Sequence, residues 1–325
     1  MSDFKLTVTD SPHLSSGETV PRAMLDVILA LVPVTLVAIY FFRLNAVFTL
    51  VVSLAAAVLI DIIIQAIKGK KTTVPDGSVL VTAWILGLSL SPLTPWWITV
   101  FGVFLAVAVA KEWMGGLGWN RFNPAAFGLV GIIFLEPLTV FLNQAFSALA
   151  VRFPMAPTIY DTVTGATPLA LLKMGELDVP YHQLLLAHPG GSLAETSGLA
   201  LLIGGAYLIY RQHICWRIPA SMIGTVLVMA LVLGHDAIYH VLAGGIFLGA
   251  FFMATDWVTS PITDTGRIVF GVAIGFLVML FRVVLVPTEG VALSIVLMNA
   301  FVPLIDRYTA RQTLGARTSA TEATQ

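Results

Sequence analysis

The sequence predicts an all-α integral membrane protein: about ten transmembrane helices, arranged as two inverted five-helix repeats. Three observations predict it. Of the 325 residues, 58% are hydrophobic and only 11% charged, where soluble domains carry about 25% charged residues. Such a chain cannot clothe a water-facing surface of ordinary size. Ten apolar runs follow one another, on the scale of the roughly 20 residues that cross about 30 Å of hydrocarbon. Finally, 13 of the 17 Lys and Arg residues fall on one side of the resulting thread, as the positive-inside rule requires. The formal net charge of −1 leaves no basic face for nucleic acid.

Residues 1–22 are polar and lack the apolar core of a signal peptide, which predicts a cytoplasmic N-terminal segment. The first half, 23–141, carries apolar runs at roughly 24–42, 46–67, 78–91, 96–112 and 124–141. Residues 142–196 form a long loop punctuated by Pro154, Pro157, Pro168, Pro180 and Pro189. Five crossings put that loop on the outer face. The second half, 197–306, carries runs at 197–211, 218–234, 237–255, 267–286 and 288–305, and 307–325 is a cytoplasmic tail. On this thread Lys68, Lys70, Lys71, Lys111, Arg121, Arg211 and Arg217 lie inside. Arg43, Arg152, Lys173 and Arg282 lie outside.

An odd number of crossings per half reverses the orientation of the second half, so any repeat is inverted. The run at 78–91 follows Asp76 and ends at Ser91-Pro92. The run at 237–255 follows Asp236, contains Gly244, Gly245 and Gly249, and precedes Ser260-Pro261. Short or Gly/Pro-interrupted helices at matching positions of two halves point to a buried binding site. Small residues also suit plain helix packing.

The outer loop contains Asp161-Thr162-Val163-Thr164-Gly165-Ala166-Thr167-Pro168. Read physically this is a turn, with Asp161 capping neighbouring backbone groups, Gly165 free to take a positive φ, and Pro168 ending it. It presents the Thr167 hydroxyl. The spacing Asp-x-x-Ser/Thr-Gly-Ala-Ser/Thr resembles the acceptor motif of flavin transferases, which join the phosphate of FMN to the final Ser/Thr as a phosphoester. Thr167 holds that place, with Asp161, Thr164, Gly165 and Ala166 shaping the turn. Arg152 and Lys173 are the cations of the loop. Either pairs with a phosphodiester or stays a solvated charge.

Four segments carry a wider resemblance: Ser11 to His13, Asp76 to Pro92, Lys111 to Gly128, and Arg152 to Leu169. They look like one family, that of the D subunit of the Rnf electron-transport complex and its relative, the B subunit of the sodium-pumping NADH:quinone reductase. The resemblance covers essentially the whole chain, and the short N-terminal extension is closer to the Rnf protein. It implies a ten-helix inverted-repeat fold in the bacterial inner membrane, covalent FMN on the outer-face Thr167, and a second, non-covalent riboflavin. Implied partners are an outer-face FMN-bearing subunit and iron–sulfur subunits that move electrons between ferredoxin and NAD, with a flavin transferase for maturation. The quinone-reducing relative is the alternative within that class. A small-solute channel or transporter is the alternative outside it, because an inverted repeat suits one equally, although it has no need of the acceptor turn.

On the opposite side, Lys111-Glu112 and Asn120-Arg121-Phe122-Asn123-Pro124 flank a glycine-rich turn. Amides three apart offer both donors and acceptors, which a flavin imide and its carbonyls require. The resemblance makes Asn120 and Asn123 candidates for riboflavin, and Lys111 beside them is a further candidate. Asn123 before Pro124 equally fits a helix N-cap. Asp256 is added because an inverted repeat brings the end of its run towards that pocket.

Ionisable residues near membrane depth are functional candidates. Asp26, Asp61, Glu112 and Asp306 sit towards inner helix ends, Glu136 and Arg282 towards outer ends. Most suit the interface, while Asp61 and Glu136 are deep enough to line an ion path. Other chemistries are excluded. Only His240 of the six histidines lies well inside an apolar run, which leaves no pair of axial haem ligands. There is no Walker A loop and no dinucleotide-binding glycine fingerprint. The lone Cys215 supports no metal or cluster site in this chain.

Overall fold

The computed structural model describes residues 19–70, 72–134, 168–169, 179–188, 190–284 and 290–310, and among them the chain is helical without a strand. The first half contributes α1 (Val20–Phe42), α2 (Leu44–Ile67), α3 (Ser78–Ser89), α4 (Trp96–Phe104) and α5 (Pro124–Phe134). A π-helix, Leu105–Trp113, continues α4. After α6 (Tyr181–Leu186) the second half contributes α7 (Gly198–Tyr210), α8 (Arg217–Val232), α9 (Ala237–Leu242), α10 (Ile246–Leu248), α11 (Asp264–Val284) and α12 (Gly290–Thr309). The π-helix Gly249–Met253 continues α10.

Local chemistry sets the boundaries. Pro21 occupies the first turn of α1, where its missing N–H costs nothing. The Asp76 carboxylate accepts from the Ser78 backbone N–H at 2.8 Å and starts α3. Asn123 Oδ1 accepts from Ala126 N–H at 3.0 Å and caps α5. Ser197 does the same for α7 and Asp236 for α9, through Ala200 and Tyr239. Each satisfies a backbone donor that the first helical turn leaves open.

Five helical segments are long and apolar enough to cross a membrane: α1, α2, α4 with its π extension, α11 and α12. Their outward faces carry exposed Leu25, Leu29, Leu36, Leu59, Ile62 and Ile63, among others. An apolar exterior of this kind suits lipid and fails in water. The remaining apolar helices are shorter. The 12 residues of α3 span only about 18 Å at 1.5 Å per residue.

Within the halves, α2 packs on α3 and α4, and α8 packs on α11, which packs on α12. Between the halves, α1 meets α7 and α5 meets α12. The interior of the bundle is α3 and the segment 246–253, of which every residue in the latter is buried or nearly so. A helix that is apolar all round belongs in a core.

The run at 237–255, expected as one helix, is broken. Ala243 is extended and Gly244 and Gly245 adopt φ of +73° and +68°. Glycine has this region open where other residues are strained. The break leaves the carbonyls that end α9 without helical partners. Arg282, expected at the outer interface, is instead 3% exposed. Its guanidinium donates to the carbonyls of His240 at 2.6 Å, Ala243 at 2.9 Å and Gly244 at 3.0 Å. Asp26, whose place in the sequence also suits the interface, is 6% exposed. It ties α1 to the end of α7, accepting from Tyr207 at 2.8 Å and from Arg211 at 2.9 and 3.0 Å.

The α1–α7 contact is close enough to test. A Cβ built on Gly204 would lie 2.1 Å from the Ala30 carbonyl oxygen, whereas one on Gly224 meets nothing within 4 Å. Gly204→Val is therefore expected to destabilise the protein by about 1–3 kcal/mol through overpacking. Gly224→Ala should be neutral or stabilising by about 0.5–1 kcal/mol. Thermal melting of the detergent-solubilised protein distinguishes the pair, and equal melting temperatures would refute the close packing.

Candidate cofactor site

Two cavities lie at opposite ends of α3: Ser78 lines one and Ser89 the other. The first comprises about 760 Å³ of space, part of it open to solvent. Its walls are mostly apolar, with Val81, Ile85, Leu208, Phe251 and Phe252 among them. Lys111, Asn120, Asn123 and Asp256 all reach it. The structure thus brings together four residues drawn from two halves of the chain.

Lys111 comes from the π-helix that extends α4. Its ammonium donates to Ser78 Oγ at 2.7 Å, and Ser78 Oγ donates to Asp76 Oδ1 at 2.5 Å. The side chain is 2% exposed, and this relay balances its charge together with the nearby Asp61 and Glu112 carboxylates. π-helical turns are rare and often mark functional sites.

Asn123 is fully engaged. Besides capping α5, its Nδ2 donates to the Met253 carbonyl at 2.9 Å, and its backbone N–H donates to Asn299 Oδ1 at 3.0 Å. Asn299 in turn donates to the Thr259 carbonyl at 2.9 Å. The cap and the tie to the second half are one device.

Asn120 differs. It is 4% exposed, its Nδ2 donates to the Phe122 carbonyl at a long 3.3 Å, and its buried Oδ1 has no partner. An orphaned buried acceptor is costly and calls for an explanation. Asp256 sits against it, accepting from Thr259 Oγ1 at 2.9 Å. Burial pushes the Asp256 carboxyl above its usual range, and the contacts from Thr259 and Asn120 act in the other direction.

One feature of the cavity wall is not legible in the sequence. His213 Nε2 lies 2.6 Å from Asp26 Oδ2, and Trp257 Nε1 donates to the His213 carbonyl. In sequence Asp26 reads as an interface residue and nothing marks His213, although both are ionisable residues near the ends of helices that open the two halves. Asp61, a candidate for an ion path, is tied to the segment that follows α2. Its carboxylate accepts from Thr72 Oγ1 at 3.0 Å, Thr73 N–H at 3.1 Å and Thr73 Oγ1 at 2.7 Å. Glu112 accepts from Gln65 at 2.7 Å and pairs with Lys68 at 3.1 Å.

Arg152, Asp161, Thr164, Gly165, Ala166 and Thr167 lie outside the described residues, as do Lys173 and Glu136. The next residues along the chain are described. Tyr239 Oη donates to the Pro168 carbonyl at 3.0 Å, and Leu169 packs with Leu184, Tyr239 and Ala243. Pro168 and Leu169 therefore lie against α9, at the end of the bundle away from Lys111.

A helical bundle with a lipid-compatible exterior, interior broken segments and a mixed polar–apolar cavity defines the class. A model described as the NQR2, RnfD, RnfE family matches residues 7–315, and the chain belongs to that family. Five apolar segments of crossing length in a member of this family make it a multi-pass membrane protein. The chain is 39% identical over 323 residues to the D subunit of the Na⁺-translocating ferredoxin:NAD⁺ oxidoreductase complex of Acetobacterium woodii, covering 97% of each chain. It is 37% identical over 328 residues to the D subunit of the proton-translocating ferredoxin:NAD⁺ oxidoreductase complex of Clostridium ljungdahlii, covering 96% of each. The D subunit of the ion-translocating oxidoreductase complex of Halorhodospira halophila is 37% identical, covering 91% of this chain and 92% of that one.

The double role of Asn123 generates a stability test. Asn123→Ala removes the cap and the Met253 tie together, and is expected to cost about 1–2 kcal/mol on the scale of helix caps. Asn123→Asp keeps the capping oxygen and loses the donor, so it should fall between the two in thermal melting. An alanine variant as stable as the parent would refute the role.

Proposed function

We propose that this chain is the D subunit of an ion-translocating ferredoxin:NAD⁺ oxidoreductase in the bacterial inner membrane. In this reading it relays electrons between flavins: FMN held covalently on Thr167, and riboflavin held without a covalent bond in the Lys111–Asp256 cavity. The thread has ten crossings in two inverted halves, with both termini and the Lys111 end cytoplasmic. The short α3 and the broken α9–α10 unit occupy matching positions of the two halves. The pairing of α1 with α7 and of α5 with α12 supports that symmetry.

The observation that carries the proposal is the convergence of Lys111, Asn120, Asn123 and Asp256 on one cavity. The residues fit a flavin ring. Apolar walls with Phe251 and Phe252 suit its faces, the Asn120 Oδ1 orphan supplies an acceptor for the imide N–H, and Lys111 supplies a donor for a carbonyl. When bound, a flavin supplies reversible electron and proton acceptance. The chain's own residues orient it and keep it from water. The Lys111 ammonium adds positive charge where electrons arrive, and Asp26 fixes His213 at the rim. Asn123 holds α5 against the 246–253 segment, so the cavity keeps its width.

At the other end, Thr167 would serve as the phosphoester acceptor and the turn around it as the transferase's recognition element. A covalent tether keeps the local concentration of the group high. The docking of Pro168 and Leu169 near α9 supports an acceptor turned away from the Lys111 end. Partners in this reading are an outer-face FMN-bearing subunit, iron–sulfur subunits and a flavin transferase.

Two variants test the two sites separately. Thr167→Ala in the assembled complex should abolish flavin fluorescence on the denatured band, and Thr167→Ser should retain it. Thr82→Trp, which fills the cavity from α3, should remove the acid-extractable riboflavin while leaving the covalent fluorescence unchanged. Covalent flavin persisting in the alanine variant would refute the acceptor. Extractable riboflavin persisting in the tryptophan variant would refute the cavity.

A further inference from the structure

The second cavity has a chemistry of its own. It lies beyond the far end of α3, encloses about 720 Å³ with part of it open, and is walled mainly by Leu129, Ile132, Leu248, Met253 and Val291. Glu195 and the serines Ser89, Ser91 and Ser192 also border this cavity; Ser91 is exposed, and Ser89 Oγ donates to the Ile85 carbonyl at 2.7 Å, which leaves its oxygen free to accept. Among the described residues Glu195 is the one ionisable side chain on that wall.

Glu195 is held by a 3-10 turn, Leu193–Thr196, ahead of α7. The turn is pinned by the Leu193 backbone N–H, which donates to the Leu90 carbonyl at 3.0 Å. Ser192 Oγ donates to Glu195 Oε1 at 3.2 Å, and Oε2 is shut off from solvent without a partner. Glu195 is therefore anchored to the end of α3. Cβ atoms built on Gly245 and Gly191 would lie 3.6 Å from Oε1 and 2.3 Å from Oε2, so Oε1 faces the helix break while Oε2 packs on Gly191 in the preceding turn. Behind that break sits the Arg282 guanidinium, already committed to three carbonyls and too far from Glu195 for an ion pair.

An ionised carboxylate in such surroundings is expensive unless something neutralises it. Burial pushes the Glu195 carboxyl up to about 7, with Ser192 and Arg282 working in the opposite direction. Arg282 on α11 is the charged group bearing on it. The faces of α3, α5, α10 and α12 that line the cavity contribute hydroxyl or apolar side chains only.

We propose that Glu195, with the hydroxyls of Ser89, Ser91 and Ser192, forms a binding site for one small monovalent cation, a proton or Na⁺. The inference rests on the reading of the chain as part of an ion-translocating complex. The carboxylate supplies the charge, and the hydroxyls and cavity water supply further oxygens. Arg282 opposes the bound cation from behind the break. Ion conduction requires a site that both loads and releases its ion.

The test uses the whole complex in native membranes. Dicyclohexylcarbodiimide, an apolar reagent for protonated buried carboxyls, is added between about pH 6 and pH 8, the interval around a carboxyl near 7, and the Glu195 peptide is read by mass spectrometry. Labelling that falls with rising pH and is suppressed by NaCl but not by choline chloride identifies a Na⁺ site. Labelling that falls with pH and ignores NaCl identifies a proton site. An unlabelled Glu195, or labelling indifferent to both, overturns the proposal.

In parallel, Glu195→Gln is expected to abolish ion accumulation by membrane vesicles while ferredoxin:NAD⁺ electron transfer continues in detergent, and Glu195→Asp is expected to restore part of it. Undiminished accumulation in the glutamine variant also overturns the proposal. Absence of ferredoxin:NAD⁺ activity in the parent complex would instead refute the reading on which the proposal rests, so the two failures are separable.

Discussion

A polypeptide inside hydrocarbon must satisfy every backbone donor and acceptor within the protein, because no water is there to do it. The segment 237–253 violates the simplest solution, an unbroken helix, at Ala243–Gly245. Arg282 makes the violation tolerable. Its guanidinium offers a rigid fork of donors, and three of the carbonyls released by the break accept from it. Without that fork the chain would have to continue as helix through residues 243–245, and the interior would close.

The break lines the second cavity, and the segment that follows it borders both. The segment 246–253 stands in the middle of the bundle with its side chains packed on all sides. Phe251 and Phe252 face the first cavity, while Leu248 and Met253 face the second. Asn123 grips the Met253 carbonyl, so the wall between the cavities is tied to the first half of the chain. On the opposite side α3 borders both cavities, held at its start by the Asp76–Ser78–Lys111 relay and at its end by Leu193. Two short elements that would be marginal alone are thus fixed at both ends by named hydrogen bonds. Wall and cofactor candidates share those bonds, so the cavity's shape and its polar groups are set together.

The helices are legible in the sequence because lipid makes a simple demand on each residue. The apolar runs at 24–42, 46–67, 96–112 and 267–286 coincide closely with α1, α2, α4 with its extension, and α11. The break at 243–245 is only half legible: its glycines mark an interrupted run but not a chain that leaves the helix. Hydropathy sums over Gly-rich apolar stretches without registering backbone direction, and Gly244-Gly245 reads equally well as a packing face. Arg282 and Asp26 are misread for a related reason. A single charge near a helix end suits the interface by default, and only tertiary structure shows a carbonyl cluster or a histidine waiting for it. The site is half legible. Family resemblance points to Asn120 and Asn123 beside Lys111, and Asp256 joins them only through the expected inverted repeat, since no periodicity links it to residues more than a hundred positions away. Glu195 is invisible as a candidate, because it sits in a loop of ordinary polarity whose burial comes from α3 and the helix break.

The proposed cation site bears on how one fold serves complexes named for different ions. Relatives of this chain at 37% and 39% identity are named as proton-translocating and Na⁺-translocating. A buried carboxylate with hydroxyl neighbours is neutralised by either cation, since protonation and Na⁺ coordination compete for the same oxygens. The choice then turns on how far the carboxylate's proton affinity is raised by burial and how many oxygens stand ready for a metal ion. Both quantities are set by small changes around Glu195: a serine gained or lost, or a shift of the Arg282 guanidinium behind the break. Ion identity would then depend on local adjustments at one cavity. The architecture that holds the two cavities apart would remain the same.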